Sequence, residues 1–437
     1  MKNKFRILIS LLFFFFTTQS FSNPIENISF IGLNNASEAE LIKILPLKIG
    51  QEYTNSMSNE IIQSLFKTGL FSDITISNDE NNLNISLKEN PIIKYFNIDL
   101  DSDSGFSNWL KGEKALISIE ILEEYLADNM LSVGNPFTQK KIENFILMLE
   151  NKYAESGYYN TIISQNISLD SQNRAGIELL INQGDRVKIE SFKISGAEKL
   201  TEASLLKLFN IGEADMFLMN YFTNKDLFTE AEFRQGIDLM TNKYFDSGYL
   251  DFQILNIDSL LDDKKEKISI SINISEGIQY KLGKISFEGE AQVIGISNLK
   301  NAISMNQGDV FNRNLVINDI QTLTDMYADL GYAFVNINPI TSEFLNEVSI
   351  NFDISLNKKV YINRITISGN TRTQDEVIRR EIGISEGGLY SRSTLRESLN
   401  NLRRLGYFSD VQISTSEVNG MPDKIDISFI VEETQTG

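Results

Sequence analysis

One short pattern occurs five times in this chain and constrains its fold more than any other feature. Each copy has a glycine, then aromatic or apolar residues, then an alternating strand: TGLFSDITI, SGYYNTIIS, SGYLDFQIL, LGYAFVNIN and LGYFSDVQI. Their glycines are spaced 88, 91, 83 and 75 residues apart: Gly69, Gly157, Gly248, Gly331 and Gly406. This period is too long for a solenoid repeat but suits a small domain. It predicts five tandem domains, here termed repeats 1 to 5.

The last copy shows the plan of one repeat. VYINRITISGN alternates as a strand does and ends in a turn glycine. Thr373 and Glu376 then have the spacing of a helix capping box. A second helix carries a leucine stripe from Leu395 to Leu402 and stops at Gly406, after which two strands follow. The predicted order is β-α-α-β-β.

The last strand of every repeat alternates strictly between apolar and polar residues. In repeat 4 the apolar side chains that face one way are Val348, Ile350, Phe352, Ile354 and Leu356. One apolar face means a sheet covered by helices on a single side, so the predicted class is α+β. The five repeated glycines follow helices, where a residue with positive φ is needed, and we interpret them as structural helix caps. A phosphate loop would place its glycines before a helix instead.

The first 22 residues have the pattern of a secretory signal peptide. Three basic residues precede an apolar run from Ile7 to Phe16, and a small-x-small sequence predicts cleavage after about Ser22. A membrane anchor is the alternative, but the run is too short to span a bilayer. Removing the leader lowers the net charge from −19 to −22. That charge disfavours binding to nucleic acids and to anionic lipid.

Residues that carry common enzyme chemistry are scarce in this chain. It has no histidine and no cysteine, which excludes Ser-His-Asp and Cys-His nucleophiles and the usual zinc sites. We therefore expect no enzyme, no cofactor and no metal. The segment DLDSDSG (99–105) resembles a calcium loop, but Ser104 and Leu110 stand where an EF-hand needs glycine and glutamate. An exposed acidic turn is the favoured interpretation.

A leader followed by five β-α-α-β-β repeats resembles the periplasmic POTRA region of the Omp85 family, the BamA-class outer membrane protein assembly factors. The motifs that carry the resemblance are LKENP (87–91), SEGIQYKL (275–282), ISGNTRTQDEVIRREIGISEGG in repeat 5, and a final VEETQTG. The expected divisions are a signal peptide at 1–22 and POTRA domains at 23–90, 91–184, 185–277, 278–358 and 359–437. The resemblance implies a following β-barrel that this chain lacks. Either a truncated piece or a barrel-less protein would explain this, and we favour truncation.

The resemblance also implies a function without chemistry. Three strands in the order first-third-second leave exposed sheet edges, to which an unfolded outer membrane protein could add as another strand. The chain is then expected to be a periplasmic receptor and scaffold at the outer membrane, with BamD-type lipoproteins and periplasmic chaperones as further partners. Alternatives are a TamA-type or two-partner-secretion protein and a stand-alone holdase. An FtsQ-type septal scaffold would need one POTRA unit and an uncleaved anchor.

Three groups of residues are candidate contact sites. Repeat 3 supplies the expected client-binding edge strand, with Tyr249, Phe252, Gln253 and Asn256. Eight of the thirteen arginines lie in repeat 5, which indicates either a solvated helix face or a docking surface.

By resemblance, repeat 5 holds the accessory lipoprotein, and Arg379 and Glu386 in RREIGISEG match the positions implied. The third group is the inserted segment DMFLMNYF, whose apolar side chains could form core or an exposed partner contact. Those side chains are Phe217, Met219, Tyr221 and Phe222.

Overall fold

The computed structural model of the chain describes residues 24–79, 81–100, 116–213 and 225–434. Within these ranges the strands form five separate three-stranded sheets, each in the order first-third-second. The predicted α+β class and strand order are confirmed. Contacts group the described residues up to 187, together with 263–266, into one body, and residues 188–262 and those from 267 onward into a second. No helix in this described part of the chain is long and apolar enough to cross a membrane.

Every repeat contains the same five elements in the same order. Repeat 1 has β1 (Asn27–Ile31), α1 (Glu38–Ile44), α2 (Asn55–Lys67), β2 (Phe71–Asp79) and β3 (Asn82–Glu89). Repeat 2 has β4 (Ile92–Leu100), α3 (Ile119–Asp128), α4 (Gln139–Glu155), β5 (Ile162–Leu169) and β6 (Arg174–Asn182). Repeat 3 has β7 (Lys188–Ser195), α5 (Glu202–Leu206), α6 (Glu230–Asp246), β8 (Gln253–Leu261) and β9 (Lys267–Ser275). Repeat 4 has β10 (Lys281–Gly289), α7 (Ile296–Ala302), α8 (Arg313–Ala328), β11 (Asn336–Phe344) and β12 (Glu347–Ser355). Repeat 5 has β13 (Tyr361–Ser368), α9 (Asp375–Glu381), α10 (Arg392–Arg404), β14 (Phe408–Val418) and β15 (Met421–Glu433).

The third strand of each repeat is the centre of its sheet. In repeat 3, β9 pairs in parallel with β7 and antiparallel with β8, so Ile272 has Ile194 on one side and Ile257 on the other. The alternate isoleucines of β9 are buried beneath the helices. Because only the central strand has two partners, each sheet leaves two free edges.

A glycine ends the first strand where the third strand passes very close. A Cβ built on Gly369 would lie 1.9 Å from the carbonyl oxygen of Val431, and one on Gly196 would lie 2.1 Å from that of Ile274. Both glycines also have positive φ, at 88° and 89°. No side chain fits at these places, which explains the Gly at the end of the ISG segments. Repeat 2 departs from this pattern at a residue outside the described ranges.

A carboxylate at the end of the third strand holds the loop that follows the first strand. In repeat 5, Glu433 accepts hydrogen bonds from the backbone N–H groups of Arg372 and Thr373 and from the hydroxyl of Thr371. In repeat 3, Glu276 accepts from Lys199, Leu200 and the Tyr244 hydroxyl. Glu89 does the same in repeat 1, through the N–H groups of residues 34 to 36. We name these three glutamates the loop anchors.

The anchors explain an error in the helix boundary expected for repeat 5. The N–H of Thr373 donates to Glu433 at 2.7 Å, and helix α9 begins after Gln374. The predicted Thr373–Glu376 capping box is therefore wrong. Hydrogen bonds from Thr371 and Thr373 also lower the pKa of the Glu433 carboxyl to about 2. For Glu276, burial favours the neutral form, but the hydrogen bonds from Lys199, Tyr244 and Leu200 outweigh it and lower the pKa.

Candidate functional site

Strand β8 is one of the two edge strands of the repeat 3 sheet and pairs only with β9. Eight of its nine residues are exposed, and Ile254 alone is half-buried. Ile257 and Leu261 lie opposite Ile272 and Ile268, so they are on the helix side of the sheet. They nevertheless remain 41% and 37% exposed. The helices therefore leave the β8 edge uncovered on its apolar side.

The backbone groups of β8 alternate between the sheet and solvent. The N–H of Asp262 donates to the carbonyl of Lys267 at 3.0 Å, just beyond the strand. Since antiparallel pairs alternate, the N–H groups of Asn256 and Leu260 point toward β9, and those of Ile257 and Ser259 point outward. A β-bulge at Leu255 breaks the register between Ile254 and Asn256. The unpaired donors thus begin at Ile257, just after the bulge.

The structure divides the four residues expected at this edge. Gln253 and Asn256 lie on β8 and are exposed. Tyr249 and Phe252 precede the strand and are 7% and 6% exposed. The ring of Phe252 stacks on Tyr244 at 4.2 Å, and that of Tyr249 meets Tyr244 edge-on at 5.8 Å. The expectation that Tyr249 and Phe252 belong to the edge strand is therefore wrong, because both precede β8 and pack into the core.

The matching edge of repeat 4 has different chemistry. In β11, Pro339 lies opposite Phe352, and Thr341 and Glu343 lie opposite Ile350 and Val348. These are the helix-side positions, and two of the three are polar. Proline lacks an N–H, so it removes one donor from the free edge. The outward donors of β11 are thus interrupted at Pro339, whereas those of β8 are uninterrupted from Ile257 to Leu261.

Arg379 and Glu386 meet on the backbone of one residue in repeat 5. Glu386 accepts a hydrogen bond from the N–H of Ile365 at 2.8 Å, and Arg379 donates to the Ile365 carbonyl at 3.2 Å. Arg379 also pairs with Asp375 at 2.8 Å. Both side chains are exposed. They bind the backbone of β13 at Ile365, which pairs with Ile427, and both side chains remain at the surface.

Several arginines of repeat 5 form ion pairs with acidic side chains. Arg392 and Arg396 reach Asp325 of repeat 4, at 3.4 and 2.9 Å. Arg403 lies 4.0 Å from Asp410 within its own repeat. Two of the eight arginines therefore contribute to the joint between repeats 4 and 5.

Two other segments singled out in the sequence lie outside the described residues. The apolar cluster Phe217, Met219, Tyr221 and Phe222 falls in 214–224, and most of DLDSDSG falls in 101–115. Among the residues that the structure does describe, no group of three or more acidic side chains is placed to hold a metal ion.

Comparison with known proteins shows the family. A model described as POTRA, surface antigen variable number repeat, matches residues 24–90, 113–184, 187–277, 280–355 and 360–434. The chain belongs to the POTRA family. Four of the matched segments contain a complete three-stranded sheet, and the segment 113–184 contains β5 and β6 but not β4. The five matches thus agree in number and order with the five repeats of the glycine pattern.

Relatives of this POTRA chain are outer membrane protein assembly factors. BamA of Neisseria meningitidis serogroup B is 27% identical over 415 residues, which cover 94% of this chain and 50% of that protein. BamA of Buchnera aphidicola is 27% identical over 420 residues, which cover 94% of this chain and 65% of that protein. The chain thus spans about half to two thirds of the length of these relatives.

Solved POTRA structures are also similar in part. The crystal structure of Haemophilus influenzae BamA POTRA3-5 matches at 21% identity with a TM-score of 0.49, covering 56% of this chain and 96% of that one.

Proposed function

We propose that this chain is a periplasmic scaffold in outer membrane protein assembly, which binds unfolded outer membrane proteins by strand addition at the β8 edge of repeat 3. The observation that carries the proposal is the uncovered edge, where outward N–H groups lie beside exposed Ile257 and Leu261. The similarity to assembly factors supports the setting. No chemical step is assigned to the chain.

An added strand can both pair with the outward backbone groups of β8 and cover its exposed apolar side chains. Its backbone would pair with the outward groups from Ile257 onward, and its alternate side chains would cover Ile257 and Leu261. Each backbone hydrogen bond contributes roughly 0.5–1.5 kcal/mol net, so a few of them give weak and reversible binding. Backbone pairing reads little side-chain sequence, which suits a receptor for many clients that share only alternating apolar residues.

Replacing Ile257 by proline tests the edge directly. The substitution copies into β8 the proline that β11 carries at the matching helix-side position. We expect photo-crosslinking of an alternating peptide from an unfolded outer membrane protein, through a label at Leu260, to fall about tenfold. Loss of an outward donor and obstruction of its neighbours cost about 1.4 kcal/mol.

Two control variants separate the backbone from the side chain. Ile257→Ser keeps the N–H and removes the apolar contact, so it should weaken crosslinking less than the proline does. Asn256→Pro removes a donor that points to β9 and should destabilise repeat 3 itself. Crosslinking of Ile257→Pro at the wild-type level would overturn strand addition at this edge.

We further propose that repeat 5 docks a BamD-type accessory lipoprotein through Arg379 and Glu386. The two side chains are exposed, and they are fixed by their bonds to Ile365, so their charges are held in position. Fixed charges at a rim give specificity and speed of association more than affinity.

The docking test must keep the hydrogen bond to Ile365. Glu386→Gln retains an acceptor oxygen and removes the charge, and we expect it to reduce capture of the purified lipoprotein several-fold. Glu376→Gln, an exposed change on nearby α9, is the matched control. Equal capture by both variants would reject the role of Glu386.

A further inference from the structure

The joints between repeats 3 and 4 and between repeats 4 and 5 share one hydrogen-bonding arrangement. Asp246, the last residue of α6, accepts from the backbone N–H of Asn314 at 3.0 Å. Asp329, which follows α8, accepts from the backbone N–H of Ser393 at 2.9 Å. Each acceptor belongs to one repeat, and each donor lies in the first turn of the second helix of the next repeat.

The two donors occupy equivalent positions in their helices. The N-cap side chains Asn312 and Ser391 accept from the third residue of their own helices, Leu315 and Thr394. The second residue of each helix has an N–H with no partner inside the helix. In both joints the preceding repeat supplies that partner as a carboxylate, so the cap of one helix is completed by another domain.

An acid is out of place at the end where these aspartates lie. The C-terminus of a helix carries partial negative charge, so a carboxylate there is unfavourable by about 0.3–1 kcal/mol. Repeats 1 and 5 have Lys67 and Arg404 at the corresponding position, two residues after the buried Leu65 and Leu402. Asp246 and Asp329 stand two residues after the buried Tyr244 and Tyr327. The positive N-terminus of the following helix compensates for this placement.

The two joints differ in what surrounds the shared contact. Between repeats 4 and 5, Asp325 adds ion pairs to Arg392 and Arg396. Between repeats 3 and 4, Asp246 also accepts from the Asn314 side-chain amide, and Arg313 lies 5.3 Å above the ring of Phe245. The joint between repeats 4 and 5 therefore contains ion pairs that salt can screen, whereas the joint between repeats 3 and 4 contains hydrogen bonds from Asn314 and a cation–π contact.

We propose that Asp246 and Asp329 are interdomain helix caps that set the angle between consecutive repeats, and that the joint between repeats 4 and 5 is the salt-sensitive one. Fixed angles hold the edge strands β8, β11 and β14 at set spacings along repeats 3 to 5. Each aspartate acts as a positioning residue, since it orients a neighbouring domain.

Spin-label distances test this on the full chain. The sequence has no cysteine, so labels can be placed on single introduced thiols. Asp238→Cys with Thr322→Cys spans repeats 3 and 4, and Thr322→Cys with Glu397→Cys spans repeats 4 and 5, all at exposed helical positions. We expect Asp246→Ala to broaden only the distance distribution across repeats 3 and 4, and Asp329→Ala only the one across repeats 4 and 5. Each distribution should broaden about twofold, because domains without a fixed contact move relative to each other.

Conservative variants and salt complete the test. Asp246→Asn and Asp329→Asn keep an acceptor oxygen and should largely restore the narrow distributions. In about 1 M NaCl the Debye length falls to about 3 Å, which weakens the ion pairs of Asp325, so the distance distribution of the unsubstituted chain should broaden only across repeats 4 and 5. If both alanine variants keep the wild-type distribution widths, the aspartates do not set the interdomain angles. If salt broadens both distributions equally, the joint between repeats 4 and 5 is not the salt-sensitive one.

Discussion

Repeats 3 and 4 have the same five elements and the same sheet order. They differ at the edge formed by their second strand and in the contacts that hold the loop after their first strand. The edge of repeat 3 has outward donors beside Ile257 and Leu261, whereas that of repeat 4 has Pro339, Thr341 and Glu343 on the same side. The fold creates an edge in every repeat, and the side chains decide whether it can accept a strand. Proline and charge are the usual means by which proteins protect such edges.

Repeats 3 and 4 also differ in the glutamate that holds the loop after the first strand. Repeat 3 uses the buried Glu276, but repeat 4 has Leu356 at the equivalent position. There the bond is reversed, since Glu290 in the loop accepts from the backbone N–H of Leu356. Glu290 is exposed. Repeat 3 therefore depends on a buried carboxylate and repeat 4 on one in contact with water.

The largest expected effect follows from the anchors. Glu276→Ala would leave the Tyr244 hydroxyl and the N–H groups of Lys199 and Leu200 without their acceptor. We expect it to lower the free energy of unfolding of repeat 3 by about 3 kcal/mol, and Glu290→Ala that of repeat 4 by about 1 kcal/mol. Hydrogen exchange of the β9 and β12 amides measures each repeat within the whole chain. Equal losses would remove the distinction between Glu276 and Glu290.

A smaller effect is expected when the repeat 4 edge is opened. Pro339→Ile restores an N–H to β11 and an apolar side chain opposite Phe352. Crosslinking of the alternating peptide through a label at Ser342 should rise a few-fold, for one added hydrogen bond of about 1 kcal/mol. Thr341 and Glu343 remain polar, so repeat 4 should still bind less than repeat 3. No rise at all would mean that proline does not close this edge.

The smallest effect concerns acid. A carboxyl whose pKa is lowered by folding stabilises the fold above its unfolded pKa, here 4.5. Its contribution is lost as the pH falls toward the folded value, which is about 2 for Glu433. Glu433→Gln should therefore lower the melting temperature near pH 6 but approach the wild type near pH 2, as thermal melts would record. If the difference in melting temperature between Glu433→Gln and the wild type stayed constant from pH 6 to pH 2, the charge of Glu433 would not contribute to stability.

The repeats were predictable from sequence because their signals are local. Period-two alternation marks the third strands, and a glycine after a helix marks each corner, where φ lies between 70° and 94°. The edge of repeat 3 was found for the same reason. Its start was misplaced, since YLDF looks like a strand while Tyr249 and Phe252 turn back onto Tyr244.

The errors and omissions concern contacts between residues far apart in the chain. Thr373 lies 60 residues from the Glu433 that takes its N–H, and no local pattern predicts such a bond. The roles of Asp246 and Asp329 also depend on a helix in the next repeat. One signal is nevertheless present in the sequence: glutamate recurs at the end of the last strand, in KEN, SEG and VEE. Its role depends on the loop after the first strand, which lies beside it in the fold.

The parallel pairing of first and third strands has a consequence for how this chain acquires its structure. The first strand of a repeat, such as β7, has no partner until β9 has been added to the growing chain. Each repeat therefore waits for its own last strand, but it does not wait for the next repeat, because no sheet continues from one to another within the described ranges. Domains generally fold as units, N-terminal first. Folding can thus advance stepwise, with one closed sheet completed before the next begins.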